Sequence, residues 1–438
     1  MMKKIFFLSA TALAAVLAML SCNKQNPVAN NTVPDVTVSV SLPDGFSEDA
    51  VFEGEVTMVS RSTSQALTAK ASAGTARFQG VPYGVYDISA ELSVSKADFK
   101  EMAPELAGES DVQISGILKE VVLGPASTQT AFSLTTDWNV ASPLVFSRIY
   151  NFGTLNLAGK AYNIDKYVEI FNNSSEVQYL DGLYIGEAWG SAPMASTMPE
   201  VDKQPVVYMQ RISRIPGSGK DYPVQPGKSV VIAQNAKNHI DATVVTNTVD
   251  LSAADFECYV AGAASFFPSD NADVPNLTPD VYQAGSYQAK LMVTQGFIPV
   301  LFRATEAEVE AMTKTLVPGT DAYGAQYASY VLELPAARVI DLVDMMRTGF
   351  ESRGGKHVPN AMDAGFAKIN QQSVAARKIS RTVGDRIVLK DTNNSTNDFV
   401  ELTSEQTDGA HLKARDYSDA RIQPGYEPAG VDGEADGE

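Results

Sequence analysis

Lys166–Ile185 reads KYVEIFNNSSEVQYLDGLYI, two short apolar runs around the polar turn Asn172-Asn173-Ser174-Ser175. In Tyr167–Phe171 the side chains alternate, with Val168 and Ile170 on one face and Tyr167, Glu169 and Phe171 on the other. That is the period of a half-buried strand. Asn and Ser bond to nearby backbone and Asn tolerates left-handed φ, so the chain reverses at the turn. Val177–Ile185 reads as a second strand, kinked at Asp181-Gly182. The stretch dictates β structure and carries no reaction.

Upstream, Asp35–Asp137 is a run of strand signals. Val36–Leu42 alternates, and Gly54–Val59, Ala66–Lys70, Val112–Leu123 and Thr128–Thr135 follow. The sharpest piece is Gly74–Ala90, GTARFQGVPYGVYDISA. Its Gly74, Phe78, Val81, Pro82, Gly84 and Tyr86 resemble the hairpin phrase of the carboxypeptidase-regulatory or transthyretin-like β-sandwich. The resemblance implies a spacer or interaction platform over 35–137.

Downstream, Leu144–Tyr150, Tyr167–Asn172, Tyr179–Ile185 and the Pro-Gly turn into Val230–Ala233 come in an order similar to the lamin-tail domain, an immunoglobulin-like β-sandwich. This second domain is expected over 144–404, with Leu389–Phe399 as its closing segment. A stretch at about 260–371 reads as a mixed insertion that a sandwich does not need. Within it, Met292–Arg303 is strand-like, and Thr305 with Glu308 has capping-box spacing, with Val309, Met312 and Leu316 following at helical spacing. Leu334–Met346 reads either as a short helix, with Pro335 in its first turn, or as a strand. Insertions of this length are natural places for function. The fold class is therefore all-β, two sandwiches in series.

Residues 1–21 have the form of a signal peptide: Lys3 and Lys4, then an apolar run Ile5–Met19. Leu20-Ser21-Cys22 resembles a bacterial lipobox, which implies cleavage before Cys22 and lipid on that cysteine. The other reading is an ordinary leader with a chance cysteine. Residues 22–34 form a polar tether, and 405–438 end in GVDGEADGE, expected to be an acidic, partly disordered tail. The membrane is thus met through an N-terminal lipid; no later apolar run approaches the twenty residues of a span.

Formal net charge is −18, which excludes nucleic acid as a natural partner. With Cys22 acylated, Cys258 is the remaining thiol, so no intrachain disulfide forms. Its apolar neighbours, with no basic residue nearby, mark it as a buried structural thiol rather than a nucleophile.

Reaction motifs are sparse. His239, His357 and His411 stand far apart and read as exposed loop residues rather than metal ligands. Asp270, Asn271 and Asp273 have the alternation of a calcium loop, with Asp391, Asn393, Asn394 and Asp398 a fainter echo. Both lack the glycine and terminal glutamate of an EF-hand, and Asx turns explain them as well. Ca²⁺ is the one cofactor to consider. Arg214–Asp221, RIPGSGKD, lacks the first glycine and the final Ser/Thr of a phosphate loop, so a β-turn is expected. No nucleophile elbow is present, and a non-enzyme is expected. Aromatics in expected loops are the remaining lead: Trp189, Tyr282 and Tyr287, beside Trp138, Tyr208, Tyr222, Tyr323 and Tyr327. They form either a recognition surface or caps on the sandwich ends.

Taken together, the lipobox, the two sandwich signatures and Asp391–Phe399 resemble a Bacteroidota lipoprotein family of unknown function, number 4876. That resemblance implies a lipid-anchored outer-membrane protein associated with TonB-dependent receptors, its β-barrel partner. It brings no site residues. The expected function is a non-catalytic transport accessory; the second is a surface adhesin or glycan-binding lipoprotein.

Overall fold

A computed structural model describes residues 31–63, 65–106, 111–140, 142–190, 205–261, 269–283, 298–320, 326–348, 356–403, 410–424 and 426. Cys22, residues 1–21 and most of the tether lie outside the described residues, as do Tyr287 and Tyr323. The chain is all-β, built from several sheets.

Thr32–Ser41 lies between Thr75–Pro82, antiparallel, and Ala131–Thr135, parallel, in a three-stranded sheet. A five-stranded sheet runs Ala66–Lys70, Glu55–Ser60, Gly84–Val94, Val112–Leu123, Asp137–Val140. Alternation sends Val36, Val38 and Phe78 from the first sheet and Val56, Met58, Ile88 and Ile114 from the second into one core. Each such side chain contributes about 1.5–3 kcal/mol when withdrawn from water. The GTARFQGVPYGVYDISA phrase is not a hairpin. Its two strands belong to different sheets, and Pro82-Tyr83-Gly84 is the corner where the chain crosses. Tyr86 closes that corner, its hydroxyl donating to the Pro82 carbonyl at 2.8 Å.

The second body has a six-stranded sheet in the order Phe256–Glu257, Ser229–Ala233, Tyr167–Asn172, Leu144–Tyr150, Ser373–Arg377, Phe399–Thr403. The organising strand sits near its middle. Its alternation does not sort side chains between core and water. Val168 and Ile170 enter one core, while Tyr167 and Phe171 enter another with Val231, Leu251, Leu412 and Ile422. Even Glu169 is buried, accepting from the Arg415 N–H (2.8 Å) and the Tyr417 hydroxyl. The cover comes partly from Ala410–Gln423, inside the 405–438 stretch expected as an acidic, partly disordered tail. Leu412 and Ile422 make that segment stick, and Tyr167 donates to the Leu412 carbonyl at 2.6 Å.

The opposing seven-stranded sheet overturns the insertion reading. Only Tyr184–Ala188 and Val206–Arg214 precede residue 260. Thr278–Gln283, Pro299–Phe302, Lys314–Thr320, Gln326–Pro335 and Val339–Leu342 supply the rest. The supposed insertion is most of the second layer. Sequence missed this because parts of it, such as Pro299–Phe302, are buried on both faces and show no alternation. The capping box is present at Thr305 and Glu308, but its helix stops at Glu310, and Leu316, at helical spacing in the sequence, lies in the strand Lys314–Thr320. Leu334–Met346 resolves to strand ends around one 3₁₀ turn, and Pro335 ends a strand instead of starting a helix.

The two sandwiches meet at a polar seam. Lys390 of the second reaches Glu91 and Glu55 of the first, and Asn397 and Ser380 approach Glu91 and Ser93.

Candidate functional site

The Arg214–Asp221 loop answers the phosphate question directly. Its backbone donors converge on a carboxylate of the same chain: Asp181 accepts N–H groups from Gly219 (2.9 Å), Asp221 (2.8 Å) and Tyr222 (2.9 Å). Burial opposes ionisation of Asp181, yet these donors hold its pKa below the usual value. Gly217 has φ +122°, and a Cβ there would lie 2.3 Å from Asp181 Oδ1. The Asp181-Gly182 kink and this loop form one unit, with the anion site filled from within.

All three histidines are buried, not exposed. His239 bridges Tyr162 (3.1 Å) and the Asn235 carbonyl (3.0 Å). His357 presents Nδ1 to Asp344 Oδ1 at 2.6 Å, and Lys356 Nζ lies 2.8 Å from Asp344 Oδ2. Burial would raise the Asp344 pKa, but His357 and Lys356 overcome that and lower it. Asp363 accepts from the Asp344 N–H and from Ser395. This group resembles a catalytic dyad only in part. No described hydroxyl or thiol stands on His357 Nε2; His357, Asp344 and Asp363 are buried, while Lys356 keeps some exposure. The group ties the 356–365 loop to the core.

Arg377 anchors a second buried network. It pairs with Asp341 (2.9 Å) and Asp391 (3.0 Å), has Asp398 at 3.6 Å, and lies 4.6 Å from the Phe399 ring. Burial pushes Asp341 up to about 8 and Asp398 up to about 7, against the pull of Arg377. The Asp391–Asp398 phrase is thus spent on Arg377, on Thr392, and on Asn394 capping Ser395–Asp398.

The calcium candidates are used similarly. Asp270 accepts from Asn276 (3.0 Å), Asn271 closes an Asx turn onto the Asp273 N–H (3.1 Å), and its amide donates to Ala236. Among the described residues no three His, Cys, Asp or Glu side chains gather as a metal set. Cys258 is buried in the inter-sheet core, which raises its thiol pKa well above the usual range.

The aromatic lead divides. Trp189 is 4% exposed and packs under Val317 and Val331 with Tyr208, so it is a core residue. Trp138 is a strand residue 4.9 Å from Phe99 in the first core. Tyr282 is half-buried on the strand Thr278–Gln283, where its hydroxyl donates to the Tyr330 carbonyl at 2.7 Å. That bond leads to residues sequence reasoning missed. Lys314–Thr320 and Gln326–Pro335 form a hairpin in which Leu316 pairs directly with Tyr330. One hairpin face buries Val317 and Val331 on Trp189; the other leaves Leu316 55% and Tyr330 59% exposed. Lys314 sits 5.4 Å from the Tyr282 ring. Lys314–Thr320 is also the edge of its sheet. Its period-2 pattern, apolar on both faces at Leu316 and Val317, was the available signal.

A shallow groove of about 430 Å³ lies elsewhere, on the outer cover of the six-stranded sheet, lined by Val231, Ile240, Leu251, Ala254, Lys413 and Arg415.

Comparison with known proteins fits this architecture. Residues 225–406 match the family model described as Protein of unknown function (DUF4876). The resemblance read from the sequence holds. A crystal structure of a DUF4876 family protein from Bacteroides thetaiotaomicron is similar in fold, with a TM-score of 0.52 and 24% identity, covering 86% of this chain and 98% of that one. The DUF4876 match begins at the turn before Ser229–Ala233 and ends past the edge strand Phe399–Thr403, so it spans parts of both sheets of the second body. The major pilin subunit BcpA of Bacillus cereus aligns over 84% of each chain at 10% identity with a TM-score of 0.15. No curated protein matches the chain.

Proposed function

We propose that the chain is a non-catalytic, lipid-anchored protein of the bacterial outer membrane that serves as an accessory to a TonB-dependent transport receptor. The observation that supports this reading is the hairpin surface. Leu316 and Tyr330 stand exposed as a cross-strand pair beside Tyr282, at the edge of the seven-stranded sheet. Exposed aromatic and aliphatic anchors on a fixed scaffold are the usual centre of a protein contact. The groups that would do chemistry are instead buried and bonded to one another. The second reading, an adhesin or glycan-binding lipoprotein, draws on the same two tyrosines, because tyrosine rings stack on sugars.

The test is recovery of the full lipoprotein from gently solubilised outer membrane. A β-barrel receptor should co-purify in near-equal amount, and Leu316→Asp with Tyr330→Ala should lower its recovery at least tenfold. Recovery of the lipoprotein alone, with other envelope complexes intact, overturns the accessory reading. Retention of the wild type on glycans, lost in the same variant, supports the second.

A further inference from the structure

A set of buried polar groups lies where Leu144–Tyr150 and Tyr167–Asn172 leave their pairing in the six-stranded sheet. Tyr150 and Tyr167 are the last pair of that antiparallel ladder, and both enter the outer core. One residue further on stand Asn151 and Lys166. Alternation places them on the other face, the side of Ile149 and Val168 in the inter-sheet core. Residues opposite each other in such a ladder hold their Cβ atoms about 4.5–5.5 Å apart, within reach of a lysine stem. Gln234 flanks Lys166 on its other side, its N–H donating to the Lys166 carbonyl at 2.8 Å. Asn151 is wholly buried, and neither its Oδ1 nor its Nδ2 has a hydrogen-bond partner among the described residues. A carboxamide withdrawn from water with both ends unmet costs about 2 kcal/mol or more, so it calls for a use. Lys166 is only 1% exposed, an unusual depth for an ammonium. Glu187, on the opposing sheet, is also wholly buried. Its Oε2 is held by Arg211, and its Oε1 has no partner among the described residues. Burial raises this carboxyl to about 7, against the pull of Arg211 and, across the gap between the sheets, of Lys166.

We propose that Lys166 and Asn151 join as an amide, a cross-link between two neighbouring strands that the folded chain makes on itself. The step is a transamidation. The neutral Lys166 Nζ attacks Asn151 Cγ, the Nζ–Cγ bond forms, the Cγ–Nδ2 bond breaks, and one ammonia leaves. Glu187 carries the proton: it takes one from Nζ, gives it to the departing Nδ2, and ends as it began. No oxidant, reductant or other reactant enters. A carboxyl that titrates near neutrality can both accept and return a proton. A buried amine is the more readily neutral, and the neutral amine is the nucleophile. The closed core keeps water from competing for Cγ. Asn151 is chosen over Gln234 because both of its amide atoms are unmet, whereas in Gln234 Oε1 alone is. The reaction happens once, on the chain's own atoms, and is compatible with the non-catalytic function proposed above. With Cys258 as the one cysteine among the described residues, an amide supplies a covalent staple that a disulfide does not.

The experiment uses the mature chain carrying Cys22→Ser, so that no acyl group blurs its mass. Purified folded and weighed by mass spectrometry under denaturing conditions, it should be lighter than its sequence mass by one ammonia. Trypsin cuts after Arg148 and Lys160, so an unlinked chain releases 149–160 and 161–166 as separate peptides. In the linked chain they should appear in one branched peptide, uncut at Lys166, whose fragments place the bond between Lys166 and Asn151. Lys166→Arg, Asn151→Ala and Glu187→Gln should each return the full mass. The proposal is overturned by full sequence mass in the parent, by an ammonia loss with no branched peptide, by a branch at Gln234, or by an unchanged loss in a folded Glu187→Gln chain. The parent's mass needs no variant, so the test stands even where a substitution prevents folding.

Discussion

Lys390 and Glu91 lie 2.7 Å apart although they belong to different sandwiches, and the pair is mostly withdrawn from solvent. Burial disfavours the Lys390 ammonium, yet Glu91 and its acidic neighbours hold the pKa above its usual value. The seam between the two bodies is therefore held by charge as well as by packing. Glu91→Gln leaves Lys390 with Glu55 at 3.7 Å as its remaining contact of this kind in the first sandwich. The expected loss is about 3 kcal/mol, as for other buried pairs broken from one side. The two tryptophans make this readable, since Trp138 reports the first core and Trp189 the second. In urea the two transitions should coincide in the parent and separate in Glu91→Gln. Coincident transitions in both would remove the seam's role in coupling.

Stability should fall between pH 6.5 and pH 8. Burial raises Glu187 and Asp398 to about 7 and Asp341 to about 8, above their unfolded values. A carboxyl raised in this way contributes fully below its unfolded pKa and loses that contribution as pH rises through its folded one. His239, lowered by burial to about 4, works in the opposite sense, but only below 6.5. Glu187→Gln should flatten the profile by about 1 kcal/mol across that window. A flat profile in the parent, measured by denaturant midpoints, refutes the assignment.

Asp181→Ala should unravel the loop at Arg214–Tyr222, because three N–H donors lose one acceptor. The loss is expected at about 2–3 kcal/mol. Since the folded pKa of Asp181 is depressed, its contribution is present above the unfolded value and disappears as pH falls through the folded one. Protection of the Gly219, Asp221 and Tyr222 amides, taken relative to their intrinsic exchange rates, should therefore fall in acid in the parent and be low at all pH in the variant.

Cys258 should be inert to a thiol reagent in the folded Cys22→Ser chain and react stoichiometrically in denaturing urea. Its burial and raised pKa both withhold the thiolate. Fast labelling of the native chain contradicts the packing described here.

The strands themselves were legible, since turn residues such as Pro82-Tyr83-Gly84 and Gln225–Lys228 mark their ends. Their partners were not. The Gly74–Ala90 phrase has the look of a hairpin locally, and only the sheet register shows a crossing. Tyr167–Phe171 alternates whether its second face meets water or Leu412, because period 2 records two environments without naming them. The site was less legible still. Trp189 and the histidines looked like loop residues because sequence gives no burial, whereas Leu316 falls at helical spacing after Val309 and Met312, although the helix stops at Glu310 and Leu316 lies in the following strand.

Ile149 completes its strand pairing only when Ala375 arrives, and Val206–Arg214 needs Gln326–Pro335 as well as Tyr184–Ala188. Neither layer of the second body can close on a partly made chain. Such a topology folds slowly, since distant segments must be gathered before their contacts repay the lost entropy. For an exported lipoprotein, as proposed above, delay would be useful. Under that proposal the emerging chain would stay threadable through a translocation pore for as long as its last strand is missing, and assembly would wait until the whole molecule had crossed.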